Sequence, residues 1–354
     1  MIADALECCT AEQAAGNLAQ LTRADFQSPQ EVKWCPGCGD FSVLAQVQNV
    51  LPRLGIPRER IVFVSGIGCS SRFPYYLNTY GIHGIHGRAP AIAMGLKCAR
   101  PELSVWVVTG DGDACSIGTN HLIHCIRRNL DVKILLLNNQ IYGLTKGQYS
   151  PTSEFGKKTK SSPAGTIEHP IRPVELALAA DATFVARSVF ADPAHLARMI
   201  EAAARHKGTA LVEIRQNCMI FNDKALDDFS DRSARDEHWV YLEQGKPIRF
   251  GKDGGRGIAA LGMDPVVATL GAGGVREADL LVHDAHSPSS VRAYLLAGLQ
   301  PPDFPTALGI FRQVEKPTYD DLLTAQVDAA VAKRGRGELA RLFAAGTTWL
   351  ASES

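Results

Sequence analysis

The run Val105–Asn139, VWVVTGDGDACSIGTNHLIHCIRRNLDVKILLLNN, constrains the fold of this chain more than any other stretch. Its two apolar blocks, Ser104–Val108 and Lys133–Leu137, lack polar–apolar alternation, the pattern of strands covered on both faces. Between them lie a glycine–acid turn, Gly110–Asp113, and a helical segment from about Ala114 to Arg128. The alternation continues downstream with a helical Val174–Ala180, a strand Thr183–Val189, a helix His195–His206 and a strand Ala210–Ile214; a further strand, Ile61–Val64, lies upstream. This order predicts an α/β fold built on a doubly wound, mostly parallel sheet. Ligands of such sheets collect beyond the carboxyl ends of the strands. GDGD and NNQ both fall at such ends, so one crevice can hold them together.

Those two ends offer specific chemistry. Gly110 and Gly112 let the backbone approach a diphosphate without side chains in the way. Asp111 supplies a hard oxygen and Asn139 a second one from across the crevice. Mg²⁺ takes six oxygens, usually one or two from protein carboxylates and the rest from phosphate, carbonyl or water. A backbone carbonyl just after Asn139 would continue that set. The bland alternative is a glycine turn with no particular ligand.

The chain has 354 residues, zero formal net charge and nine cysteines. Nothing in it is basic enough for nucleic acid, and no apolar run approaches the ~18 residues of a membrane span. The N-terminus lacks a signal pattern, so the chain reads as cytoplasmic. Cysteines in that compartment point to metal or redox chemistry rather than disulfides. Trp34–Asp40, WCPGCGD, holds the one C-x-x-C. A thioredoxin-like dithiol would sit between a strand and a helix in a much shorter chain. A zinc ribbon needs a second close pair, which is missing. An iron–sulfur site needs four thiolates, which distant loops can supply. Cys69, after Ile61–Val64, and Cys218, after Ala210–Ile214, both sit at strand ends. Cys98, Cys115 and Cys125 fall on helices, where cysteine is usually an inert small hydrophobe. Cys8 and Cys9 read as spare thiols. His121, His124 and Cys125 share a helix face at metal-compatible spacing, although packing is the simpler reading.

WCPGCGD, GIGCSSR, GDGDACSIGTNH and NNQIYGLTKGQYSPTS together resemble the β subunits of 2-oxoacid:ferredoxin oxidoreductases, and the 2-oxoglutarate branch most of all. GDG followed after about 25 to 30 residues by NN is the thiamine diphosphate motif of that family. The resemblance runs densely from about Glu31 to Asn222. It implies thiamine diphosphate and Mg²⁺ in the crevice, with Gly110, Asp111, Gly112, Asp113 and Asn139 on the cofactor, and a [4Fe–4S] cluster on Cys35, Cys38, Cys69 and Cys218. It also implies that the HGR segment lines the crevice, which makes His86 a cofactor contact. The long loop after NNQ is of the functional kind: the amides and hydroxyl of Gly143, Leu144 and Thr145 can wrap the diphosphate, and the Ile141 carbonyl can reach Mg²⁺. Lys146 is expected to pair with a substrate carboxylate, with Arg72 as a further cation; a dicarboxylic 2-oxoacid such as 2-oxoglutarate suits this.

The chain therefore divides into an N-terminal segment (1–30), a cofactor and iron–sulfur domain (31–224), and a C-terminal extension (225–354) expected to wrap the domain or a partner. The alternating elements suffice for one cofactor-gripping domain. The resemblance places the second, with the activating glutamate, on an α subunit. It implies oxidative decarboxylation of a 2-oxoacid with coenzyme A as co-substrate and ferredoxin as electron acceptor, reversible as a carboxylation. The rivals are a pyruvate or broad-range enzyme, a cluster-free decarboxylase or synthase, and a non-catalytic electron-transfer subunit.

Overall fold

The computed structural model describes residues 21–223 and 235–349. Cys8, Cys9, most of the N-terminal segment and the start of the C-terminal extension lie outside them. Among the described residues eleven strands form two sheets. The main sheet holds β1 (Ile61–Ser65), β2 (Tyr80–His83), β3 (Ser104–Gly110), β4 (Val132–Asn138), β5 (Phe184–Val189), β6 (Ala210–Arg215), β7 (Trp239–Leu242) and β11 (Thr306–Gln313). Their spatial order is β2-β1-β3-β4-β6-β5-β11-β7. Every neighbouring pair is parallel except β11 on β5. A second, antiparallel sheet comprises β8 (Arg249–Phe250), β9 (Arg256–Leu261) and β10 (Asp264–Thr269).

The unbroken apolar runs are explained by cores on both faces of the main sheet. Every residue of β4 is buried. Val105 and Val107 of β3 join one core with Val132, Ile134 and Leu136 of β4. Their neighbours Trp106, Val108, Leu135 and Leu137 join the other. Side chains alternate across a strand, so both alternating sets must be apolar when helices cover both faces. The first core is closed by Ala89–Ala99, Thr119–Arg127 and Pro173–Ala179. The second is closed by Asp40–Val50 and Pro193–Arg205.

Two expectations change. The helix predicted over Ala114–Arg128 is two helices, Asp111–Cys115 and Thr119–Arg127. GDGD is therefore the first turn of a short helix rather than a turn before one. The break has a tertiary cause: Gly118 lies so close to Gly87 that a Cβ on Gly87 would stand 2.6 Å from the Gly118 nitrogen. The Arg88 guanidinium then caps the Ile117 carbonyl at 3.0 Å. Secondly, the segment read as an extension supplies β7 and β11 to the main sheet itself, and the strand expected at Val266–Leu270 is β10 in the separate antiparallel sheet.

Candidate active site

The carboxyl ends of β1, β3 and β4 open into a pocket of about 220 Å³ lined by Cys69, His86, Asp111, Asn139 and Gly143 among others. Asp111 is buried, and its Oδ2 accepts from the hydroxyls of Ser150 at 2.5 Å and Thr152 at 2.6 Å. Burial pushes its carboxyl above the usual range, and the two hydroxyls work against that. A buried carboxylate held this way is a ready ligand for a cation, which would offset the desolvation. Asn139 turns its Oδ1 back onto the Ile141 amide at 3.1 Å, an Asx turn that fixes the loop's exit from β4. Its neighbour Asn138 points into the sheet and donates to Glu213 at 2.7 Å. Of the two asparagines, one is therefore structural.

Asp113 organises the crevice wall. Its Oδ1 accepts from the Gly87 amide at 2.7 Å and the Ile67 amide at 3.1 Å, and meets His86 Nδ1 at 2.6 Å. Its Oδ2 accepts from the Thr109 hydroxyl at 2.7 Å. One carboxylate thus ties the loops after β1, β2 and β3 together, and His86 is held with its ring half-exposed in the pocket mouth. The two glycines of GDG serve different ends. A Cβ on Gly112 would fall 2.1 Å from the Tyr142 ring, whose hydroxyl donates to the Gly112 carbonyl at 3.0 Å. Gly110 meets nothing closer than 3.4 Å and keeps the pocket floor open.

Cys35, Cys38, Cys69 and Cys218 line one cavity of about 460 Å³ with Lys33, Trp34, Arg72 and Lys146. Three contacts knit the contributing loops. The Trp34 indole donates to the Cys69 carbonyl at 2.7 Å. Met219 packs against Gly37, whose φ of +78° makes the C-P-G-C turn. A Cβ on Gly143 would lie 3.2 Å from Cys218 Sγ and 4.0 Å from Cys69 Sγ, so those sulfurs stand within roughly 7 Å of each other. Burial pushes the Cys69 thiol up to about 11 and raises Cys38 as well. A positive charge such as iron would offset that burial and favour the thiolates of Cys38 and Cys69. The donor set and the cradle left by Gly143 fit a four-thiolate cluster. Cys69, Asn139, Gly143 and Leu144 line both this cavity and the Asp111 pocket.

The structure thus brings Gly110, Asp111, Gly112, Asp113, Asn139, Ile141, Gly143, Leu144, Thr145 and His86 to one pocket and the four cysteines to the next. The Thr145 hydroxyl is committed to Gln148. Lys146 and Arg72 lie on the thiol-lined cavity rather than in the Asp111 pocket. Lys146 takes a positive φ in a tight loop where the Tyr142 amide donates to the Gln148 carbonyl at 2.8 Å. The face of His121, His124 and Cys125 is packing, as Cys125 is fully buried in the core; among the described residues no three His, Cys, Asp or Glu side chains, the four cavity cysteines included, close on a single metal ion. Sequence reading missed Ser150 and Thr152, although both lie in the quoted SPTS segment. It also missed Tyr142 and Asn222, which carry no local signal.

The doubly wound sheet and its acidic, glycine-lined crevice are those of a thiamine pyrophosphate-binding domain: residues 66–214 match the family model described as "Thiamine pyrophosphate enzyme, C-terminal TPP binding domain". The chain is 54% identical over 328 residues to the 2-oxoglutarate oxidoreductase subunit KorB of Mycobacterium tuberculosis, covering 92% of this chain and 87% of that one. It is 47% identical over 200 residues to the 2-oxoacid:ferredoxin oxidoreductase 1 subunit beta of Aeropyrum pernix, covering 56% and 63%. A solved 2-oxoglutarate:ferredoxin oxidoreductase from Magnetococcus marinus, with 2-oxoglutarate, coenzyme A and succinyl-CoA bound, superposes with a TM-score of 0.73 at 30% identity, covering 94% of this chain and 98% of that one. The chain belongs to the β subunits of the 2-oxoacid:ferredoxin oxidoreductases, in the 2-oxoglutarate branch.

Proposed function

We propose that this chain, joined to an α subunit, carries out the coenzyme A-dependent oxidative decarboxylation of 2-oxoglutarate to succinyl-CoA and CO₂, with two electrons leaving singly to ferredoxin. The observation that supports this reading is that the two cavities adjoin: Cys69, one of the four thiols, lines both, together with Asn139, Gly143 and Leu144. When bound, thiamine diphosphate supplies the electron sink for loss of CO₂, and a [4Fe–4S] cluster supplies one-electron transfer. Asp111, the Asn139 side chain and the Ile141 carbonyl would hold Mg²⁺ and, through it, the diphosphate. The amides of Gly143, Leu144 and Thr145 would face the phosphate oxygens. His86, oriented by Asp113, would stand at the mouth as a donor to the cofactor. Lys146, with Arg72, would meet the substrate carboxylates from the cluster side.

Half the site is expected elsewhere. The pocket of about 220 Å³ is smaller than the ~300–1,000 Å³ usual for a drug-sized ligand, which supports a cofactor shared with the α subunit. Cluster chemistry and reduced cysteines suit the cytoplasm, and among the described residues no helix is long and apolar enough to cross a membrane. The test is anaerobic co-expression with the α subunit and a viologen-reduction assay. Reduction that needs both 2-oxoglutarate and coenzyme A is expected, with pyruvate far slower. Decarboxylation without coenzyme A or viologen reduction would assign the chain to the cluster-free decarboxylases.

A further inference from the structure

We infer that Asn222 is the positioning residue that couples the cluster loop to the metal-binding loop, so that cofactor binding and the state of the cluster sense one another. The inference rests on the reading above, in which the thiols hold a cluster and Asp111 a magnesium diphosphate. Asn222 is buried and makes three connections. Its own amide donates to the Cys218 carbonyl at 2.8 Å, closing the turn that presents Cys218. Its side-chain Nδ2 donates to the Asn139 carbonyl at 2.9 Å. Its Oδ1 accepts from Lys157 Nζ at 2.6 Å, and Lys157 is also paired with Glu154 at 3.1 Å.

Asn139 is thereby held at two points. Its side chain is turned onto the Ile141 amide, and its carbonyl is held from the cluster side by Asn222. A displacement of Cys218 passes through a single side chain to the Asn139 carbonyl, two residues before the Ile141 carbonyl offered to Mg²⁺. Lys157 strengthens the joint because an ammonium on Oδ1 polarises the amide and sharpens its N–H as a donor. It also fastens the long loop after β4 to the same point. Coupling of this kind is reciprocal: whatever cofactor binding does to the cluster, the cluster does to cofactor binding.

The test uses the anaerobic complex with the α subunit, as wild type, as Asn222→Asp and as Asn222→Ala. The aspartate keeps the shape and the Lys157 contact but removes the N–H. Thiamine diphosphate affinity is titrated at saturating Mg²⁺, and the electron paramagnetic resonance spectrum of the reduced cluster is recorded with and without cofactor. Both variants are expected to keep wild-type iron and sulfide and to bind the cofactor about tenfold more weakly. The wild-type spectrum should change on cofactor binding and those of both variants should not; a wild-type spectrum indifferent to the cofactor overturns the inference. Wild-type affinity in Asn222→Asp overturns the inference, and so does a cluster spectrum that still responds to cofactor in both variants. Loss of iron from both variants also overturns it, since Asn222 would then only support Cys218. A wild-type complex lacking iron or thiamine diphosphate refutes the function itself, a result distinct from an intact wild type with unaltered variants.

Discussion

Gly112 and Gly110 sit two residues apart in one motif, and the structure predicts that alanine destabilises the first and leaves the second near wild type. A Cβ at Gly112 would stand 2.1 Å from Tyr142 Cε1 and 2.6 Å from Cζ. Carbon atoms in contact need about 3.5–4.0 Å, so the ring must retreat. It cannot do so while its hydroxyl holds the Gly112 carbonyl at 3.0 Å. Losing that bond costs about 0.5–1.5 kcal/mol, and the residual overpacking about 1–3 kcal/mol. Alanine inside the helix Asp111–Cys115 returns about 0.5–1 kcal/mol. Gly112→Ala should therefore lose a net of about 0.5–4 kcal/mol. It should also weaken cofactor binding, because Tyr142 opens the loop that lines the pocket. Gly110 has φ −90° and ψ 164°, open to any residue, and its nearest neighbour would be 3.4 Å away. Gly110→Ala should stay within about 0.5 kcal/mol of wild type. Urea denaturation of the full chain, followed by tryptophan fluorescence, measures both. Equal midpoints for the two variants would show that Tyr142 does not govern Gly112.

Asp111→Ala should release Mg²⁺ and thiamine diphosphate while the complex keeps its iron; retained cofactor would remove Asp111 as the metal ligand. Cys218→Ala should yield iron-poor, oxygen-labile protein, and a full iron complement would exclude Cys218 from the cluster. Lys146→Ala should raise KM for 2-oxoglutarate more than for pyruvate, whereas a rise confined to KM for ferredoxin would refute the substrate role. His195, buried with its Nδ1 on the Ser188 hydroxyl at 2.8 Å, is held down to about 4 by burial, against ~6.5 in an unfolded chain. The unfolded state alone takes up that proton between those values. Stability should be full above pH 6.5 and fall by up to about 3 kcal/mol towards pH 4. Replacing His195 with Gln should flatten that part of the pH–stability curve, and an unchanged slope would refute the assignment.

What could be read from the sequence followed local physics. The double-sided burial of β3 and β4 is written in their unbroken apolar runs, and the pocket lies at the strand ends, where ligands of such sheets collect. Cys69 and Cys218 were separable from Cys115 and Cys125 for the same reason: the first two leave strands, the second two ride on helices. What escaped depends on contacts between distant segments. The break at Ser116–Gly118 exists because Gly87 crosses there. Asp113 reads as one more acid in GDGD until three loops converge on it. The place of β11 between β5 and β7 joins residues far apart in sequence, which no local periodicity encodes. Asn138 and Asn139 look equivalent in text. Strand parity sends one into the sheet and the other into the crevice.

The two cavities meeting at Cys69 and Gly143 are predicted to hold a thiamine diphosphate and a four-thiolate cluster side by side. Iron, acid-labile sulfide, magnesium and thiamine assayed on one anaerobic preparation of the complex test it most directly. Iron and sulfide in the proportion of one [4Fe–4S] cluster, with one thiamine diphosphate per chain, are predicted. Thiamine diphosphate without iron, or zinc in its place, would contradict the account.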